Sequence, residues 1–276
     1  MQERARVTAP HTSPLSGPPP AEVPLTNAPL VRVIAQVRFP LIASIEKRDF
    51  IGAFQEAIRA TYPVLHAEQS RNLVLSPDRP METRATTIWR FHDPATQWRV
   101  TLAPDFVALE TERYSSRQDL LSRLSRVLHA LEDHINPRFT ERLGVRYIDR
   151  ITGPNLSQLP SLVRQEVSGI LASPLRQGVV HALSQSVFTL PDEEPALLSA
   201  RWGLLARGST MDPTIAAIDE ASWILDLDAY EQLQGAPREF DVEATITRAT
   251  RFSERIYSVF RWAVNDEFLR RFGGAP

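Results

Sequence analysis

Apolar and polar residues alternate along several short segments of the chain. From Val31 to Phe39 the odd-numbered positions are apolar, which is typical of a strand with one buried face. The same reasoning predicts further strands near residues 65–75, 85–92, 97–103, 106–113, 140–151, 178–189, 197–207 and 222–229. Apolar residues at helical spacing predict helices over 46–61, 117–135, 158–172 and 242–271. The pattern therefore predicts an α+β fold.

The two longest predicted helices carry end signals. Ser116 with Asp119 resembles a capping box at the start of the helix over 117–135. Asp241 can cap the last helix and Gly273 can close it. At a rise of 1.5 Å per residue, that last helix would be roughly 45 Å long.

The order of predicted elements occurs twice, and short segments echo each other. Val31–Val33 matches Val145–Tyr147 at an offset of 114 residues, and Leu109–Tyr114 matches Leu225–Tyr230 at an offset of 116. We therefore predict internally duplicated β-α-β-β-β-α halves, at 24–137 and 138–276. Together they would form a curved antiparallel sheet with helices on one face, similar to the TATA-binding-protein and helix-grip folds, an analogy of fold that carries no function.

The segment before these halves has a different composition. Residues 1–29 contain seven prolines and few large apolar residues. Such a segment buries too little surface to offset the entropy of ordering it. We predict a disordered, proline-rich tail over residues 1–23.

Bulk composition narrows the class of protein. Cysteine is absent, no run of 18 apolar residues occurs, and the N-terminus has no apolar signal core. These features predict a cytoplasmic protein without a membrane span. The net charge of −2 opposes nucleic-acid binding, although a local basic patch keeps that alternative open. The bases are arginines except for Lys47, which a GC-rich genome or anion recognition would explain.

Familiar catalytic motifs are missing. The sequence has no G-x-S-x-G elbow, no phosphate-binding glycine loop and no cysteine nucleophile. His129 and His134 are five residues apart on one helix, which places them on different faces. We therefore predict no cofactor and no histidine metal site.

Paired carboxylates are the best candidates for a functional site. Residues two apart on a strand share a face, so Glu110 points with Glu112, and Asp226 with Asp228. Their strands are apolar on the other face, so the acids should lie away from the helices. The same alternation puts arginines on this outer face: Arg32, Arg38, Arg99, Arg146, Arg150 and Arg201. The binding residues we predict are Arg38, Glu110, Glu112, Arg146, Arg150, Asp226 and Asp228.

Three interpretations of this face compete. It can be a solvated surface with cross-strand ion pairs. It can recognise a protein or a small ligand. It can also be a catalytic carboxylate site that holds Mg²⁺ or Mn²⁺.

Three segments also carry a family resemblance. Pro24–Val31 (PLTNAPLV), Arg142–Arg150 (RLGVRYIDR) and Leu225–Asp228 (LDLD) resemble a sporadically distributed, functionally uncharacterised bacterial family of about this length. Arg32 departs from the family, which usually has an acidic residue there. The resemblance implies a prokaryotic gene linked to mobile elements and brings no established reaction.

The sequence favours a non-enzymatic binding or adaptor protein. Its partner would be another protein or a second copy of the chain, bound through the polar sheet face, the long C-terminal helix, or both. One alternative is a divalent-metal-dependent enzyme that uses the paired carboxylates. A second alternative is a nucleic-acid-binding protein.

Overall fold

A large antiparallel sheet dominates the structure. The computed structural model describes residues 13–74, 82–193, 195–213, 215–233, 235 and 237–276. The strands in these ranges are Leu30–Arg38 (β1), Val64–Val74 (β2), Glu82–His92 (β3), Trp98–Ala103 (β4), Phe106–Thr111 (β5), Phe139–Thr140 (β6), Arg142–Ile151 (β7), Ala182–Thr189 (β8), Leu197–Leu205 (β9), Ser222–Gln232 (β10) and Arg238–Glu239 (β11). Nine of them form one sheet in the order β2-β3-β4-β5-β1-β7-β10-β9-β8, and β6 pairs with β11. The predicted α+β class is confirmed.

Helices cover one face of this sheet. In the described ranges the α-helices are Gly52–Ile58 (α1), Arg117–His134 (α2), Gly153–Ser157 (α3), Leu159–Leu162 (α4), Gln165–Ser168 (α5), Val242–Ala263 (α6) and Asp266–Arg271 (α7). Ser116 and Asp241 cap α2 and α6, since their side chains accept hydrogen bonds from the backbone N–H groups of Asp119 and Ala244. None of these helices is long and apolar enough to cross a bilayer.

The main core lies between the helices and the sheet. Val33, Ala35 and Val37 of β1 are fully buried there, together with Leu124 of α2 and Phe252 of α6. These strand residues are the odd-numbered positions that the alternation predicts. The opposite face of the sheet, which we call the open face, carries the even-numbered residues of β1.

A smaller apolar cluster lies on the open face. Ile148, Leu205 and Ile224 come from the sheet, and Ile215 covers them from the segment 206–221 that joins β9 to β10. Val31 joins this cluster, because the register between β1 and β7 shifts between Leu30 and Arg32. The prediction that Val31 shares a face with Val33 is therefore wrong.

Strands β1 and β7 lie in the middle of the sheet and pair with each other. On their other sides, β1 pairs with β5 and β7 pairs with β10. Val33 lies opposite Thr111 in the first pair, and Tyr147 lies opposite Leu227 in the second. Val33 and Tyr147 are 114 residues apart, and Thr111 and Leu227 are 116 residues apart. These are the offsets of the two sequence echoes.

Two predicted helices are interrupted in the structure. The helix predicted over 46–61 is a 3-10 turn at Ala43–Glu46 followed by α1. The helix predicted over 158–172 is broken into short turns. Pro160 lacks an N–H donor, Val163 is extended, and Gly169 has a φ of 52°.

The last predicted helix is also wrong as a single element. It stops at Ala263, because Val264 is extended and pairs with Val163 in an isolated bridge. Asn265 then caps α7 by accepting a hydrogen bond from the N–H of Phe268. Helix α6 is therefore about 33 Å long rather than 45 Å. Its buried residues pack on the sheet and on α2.

The prediction of a disordered tail is wrong for residues 13–23. These residues and the following 24–28 form a segment that we call the N-terminal strap, which lies along α6. The N–H of Val23 donates to the Tyr257 hydroxyl at 2.7 Å, and Arg255 donates to the carbonyl of Gly17 at 2.9 Å. Leu15 and Val23 pack on the core. The strap is thus held by apolar contacts and hydrogen bonds that a high proline content does not indicate. Residues 1–12 lie outside the described ranges.

Candidate functional site

The open face carries two arginine–carboxylate–arginine clusters, one in each half of the sheet. The carboxylates stand on β5 and β10, and each lies between arginines from the two neighbouring strands of the large sheet. This arrangement follows from the antiparallel register, which places Glu110 opposite Arg99 and Asp226 opposite Arg201. The alternation of polar residues predicts the shared face.

The first cluster consists of Arg32, Arg99 and Glu110. Arg99 donates to Glu110 at 2.7 Å, and Arg32 donates to the other carboxylate oxygen at 3.4 Å. Arg32 also bonds to Glu112, whose side chain is 65% exposed. The first cluster is therefore open to solvent on one side.

The second cluster consists of Arg146, Arg201, Asp226 and Asp212. Arg146 holds both oxygens of Asp226 in a fork, at 2.7 and 2.9 Å, and Arg201 donates to one of them at 2.6 and 2.9 Å. Asp212, from the segment 206–221, accepts from the same two arginines at 2.9 and 3.2 Å. The Asp226 side chain is only 1% exposed.

The electrostatics of the second cluster are those of a closed ion-pair network. Burial alone would lower the pKa of Arg146. The hydrogen bonds and charges of Asp226 and Asp212 outweigh burial and raise that pKa above its ordinary value. A solvated face is therefore the wrong interpretation for Asp226, which is a buried and fully paired charge.

Arg142 and Asp228 form a third polar contact, between the two clusters. Arg142 donates to Asp228 at 3.3 Å and to the Gln36 side chain at 3.1 Å, and its guanidinium lies 5.0 Å from the centre of the Tyr230 ring. Burial raises the pKa of Asp228, although the nearby arginines oppose this shift. Arg142 is thus held along the open face rather than extended into solvent.

Gly144 makes room for this arrangement of Arg142. A Cβ at Gly144 would lie 2.6 Å from Nη1 of Arg142. The glycine of the RLGVRYIDR segment therefore allows the guanidinium to lie over the strand.

These groups border a shallow cavity of about 410 Å³ on the open face. Five arginines line it: Arg32, Arg90, Arg99, Arg142 and Arg146. The carboxylates in the lining are Glu110 and Asp228, and the apolar part of the floor includes Ile34 and Phe106. All five already pair with carboxylates. A guanidinium carries five N–H donors, however, and those of Arg32, Arg90, Arg99 and Arg142 are only partly used by these pairs, so they can also donate to an anion.

The structure brings together five of the seven predicted site residues, which are Glu110, Glu112, Arg146, Asp226 and Asp228. Arg38 lies apart, at the end of β1, where it pairs with Asp105. Arg150 is turned toward the segment 206–221 and donates to the carbonyl of Ala216 at 2.7 Å.

Sequence reasoning missed Arg90, Arg142 and Asp212. Arg142 shares the even-numbered parity of Arg146 and Arg150 on β7, so the alternation could have found it. Arg90 reaches the cavity from β3, where it also pairs with Glu68. Asp212 comes from a loop, where no periodicity indicates which side chain turns back to the sheet.

The described ranges contain no group of three or more histidine, aspartate or glutamate side chains arranged to hold a metal ion. Glu110 and Asp226, which the metal-enzyme alternative would use, are each bonded to two arginines instead.

The fold and the site define an α+β protein with an arginine-rich cavity on an open antiparallel sheet. Comparison with models of protein families and with curated proteins finds no match to the chain.

Proposed function

We propose that this chain is a non-enzymatic binding protein whose open sheet face recognises an acidic segment of a partner protein. The observation that carries the proposal is the lining of the 410 Å³ cavity, in which five arginines border one accessible space. An acidic segment would accept further charge-assisted hydrogen bonds from these guanidinium groups. A cytoplasmic location, which the sequence predicts, is part of the proposal.

The floor of the cavity favours a peptide over a nucleic acid. Ile34, Ile88 and Phe106 lie between the arginines and offer apolar contacts to side chains. The chain also has a net charge of −2, whereas affinity for nucleic acids depends on basic excess. A second copy of the chain is the other protein partner that the sequence suggests.

We also infer that the two halves arose by internal duplication. The pairs Val33–Thr111 and Tyr147–Leu227 support this, since they are related by the offsets of the sequence echoes. The two ion-pair clusters give further support, because Arg32, Glu110 and Arg99 have counterparts in Arg146, Asp226 and Arg201. The likeness to helix-grip folds remains a prediction.

The proposal is tested by fluorescence anisotropy with a labelled peptide of eight glutamates. Arg142→Gln should weaken binding about tenfold, because it removes a charged hydrogen-bond donor from the cavity. Arg59→Gln is the matched control, since Arg59 is an exposed arginine with one acidic partner on α1. It should leave the Kd unchanged.

A second variant changes the cavity without changing its charge. Gly144→Ala should displace the Arg142 guanidinium and weaken peptide binding, with little effect on the melting temperature. Equal losses in the Arg142 and Arg59 variants would contradict a defined site. Tighter binding of a duplex oligonucleotide than of the peptide at the same salt concentration would favour the nucleic-acid alternative.

A further inference from the structure

A buried carboxylate without a partner lies on the other face of the sheet. Asp149 of β7 points toward the helices and is 7% exposed. Within the described part of the chain, its carboxylate makes no hydrogen bond or ion pair. Buried carboxylates are normally paired, because an unpaired charge loses its hydration without compensation.

Asp149 lines a cavity of about 240 Å³ beneath the N-terminal strap. Most of the wall is apolar and includes Leu30, Leu227 and Ile256. The N-terminal strap lines one side of the cavity with Val23 and Leu25. Asp149 thus lies in a largely apolar cavity, whose other charged residues are Glu22 and Arg117.

Aromatic side chains form another part of the wall. Tyr114, Tyr147 and Tyr257 line the cavity, and the rings of the first two meet edge to face at 5.4 Å. Tyrosine faces attract organic cations, and their hydroxyl groups can accept hydrogen bonds.

The nearby arginine does not neutralise Asp149. Arg117 also lines the cavity, but it pairs with Glu22 at 2.6 Å and with Glu254 at 3.5 Å. The protein therefore supplies a negative group and leaves its positive partner to be provided by something else.

We propose that this cavity binds a small organic ammonium ion, a primary amine on a short apolar or aromatic body, with its charge on Asp149. The apolar wall suits the body of such a ligand and disfavours a hydrated divalent ion. The volume suits a ligand smaller than a typical drug, since drug-sized ligands occupy pockets of about 300–1,000 Å³.

The protonation of Asp149 fits this assignment. Burial raises the pKa of Asp149 to about 7. At pH 6 the empty cavity therefore holds mostly the neutral acid, and binding of an ammonium ion must release a proton. The other titratable groups that face the cavity are Glu22, Arg117, Tyr114, Tyr147 and Tyr257.

Isothermal titration calorimetry with phenethylamine tests the proposal, and 2-phenylethanol serves as the uncharged probe of the same shape. The amine should bind the wild type at least about tenfold more tightly than the alcohol. Titrations at pH 6 in two buffers of different ionisation heat should show proton release with the amine.

Asp149→Asn should remove both the preference for the amine and the proton release, while 2-phenylethanol still binds. Asp219→Asn, in an exposed ion pair with Arg207, is the control and should behave as the wild type. The proposal is overturned if neither probe binds, if amine and alcohol bind equally, or if the Asn variant at position 149 keeps the preference.

Discussion

The two arginine–carboxylate–arginine clusters have the same plan and different surroundings. In the first, Glu110 is 12% exposed and Glu112 reaches into solvent. In the second, the segment 206–221 lies over the cluster, adds Asp212 and leaves Asp226 1% exposed. The comparison teaches that a covering loop decides whether such a cluster acts as a structural element or remains accessible to a partner.

Asp226→Asn should have the largest effect on stability. It removes the buried one of the two carboxylates that Arg146 and Arg201 share and leaves them only Asp212. Breaking a buried pair costs about 3–5 kcal/mol. Urea denaturation at pH 7 measures the change. A loss below about 1 kcal/mol would mean that the covered cluster behaves like an exposed one.

Asp149→Asn should stabilise the protein, in contrast to Asp226→Asn. The two acids can be compared directly, because both are buried but Asp149 pairs with no arginine in the described ranges. A folded-state pKa of about 7 lies above the ordinary 3.8, so this acid contributes stability below about pH 4 that is lost as the pH rises through 7. The variant should match the wild type near pH 4 and exceed its unfolding free energy by about 4 kcal/mol at pH 8.5. A constant difference across urea titrations at these pH values would contradict this.

Glu110→Gln should destabilise the protein less than Asp226→Asn does. It weakens charged hydrogen bonds to Arg32 and Arg99 in a partly solvated cluster, so we expect a loss of about 1–2 kcal/mol. The same urea experiment compares the two variants directly. Equal losses would show that the covering loop makes no energetic difference.

Glu112→Gln should have the smallest effect. The side chain is 65% exposed, and exposed ion pairs contribute about 0–1 kcal/mol. Its melting temperature should stay within a degree or two of the wild type at both low and high salt. A larger shift would place Glu112 within the structural part of the first cluster.

Much of this site was predictable because strand alternation is strictly periodic. Once β5 and β10 are recognised, Glu110 and Asp226 must share the face of Arg99 and Arg201. The same parity could have found Asp149, which shares the helix-facing side of Val145 and Tyr147. An acid at a core-facing position is a visible break in the pattern.

Other features depend on contacts that no local pattern encodes. The burial of Asp226 comes from a loop with no periodicity, and the break after Ala263 comes from the bridge between Val163 and Val264. The proline content of residues 13–23 predicts disorder. In the structure these residues are held by hydrogen bonds to Tyr257 and Arg255, which lie more than two hundred residues away in the sequence.

That separation has a consequence for synthesis. Val23 is 234 residues from the hydroxyl that holds it. At about 5–20 residues per second, a ribosome needs on the order of 10–50 s to make the intervening chain. During this interval the N-terminal strap has no α6 to bind, so proteases and chaperones meet as a free chain a segment that the finished protein holds against α6.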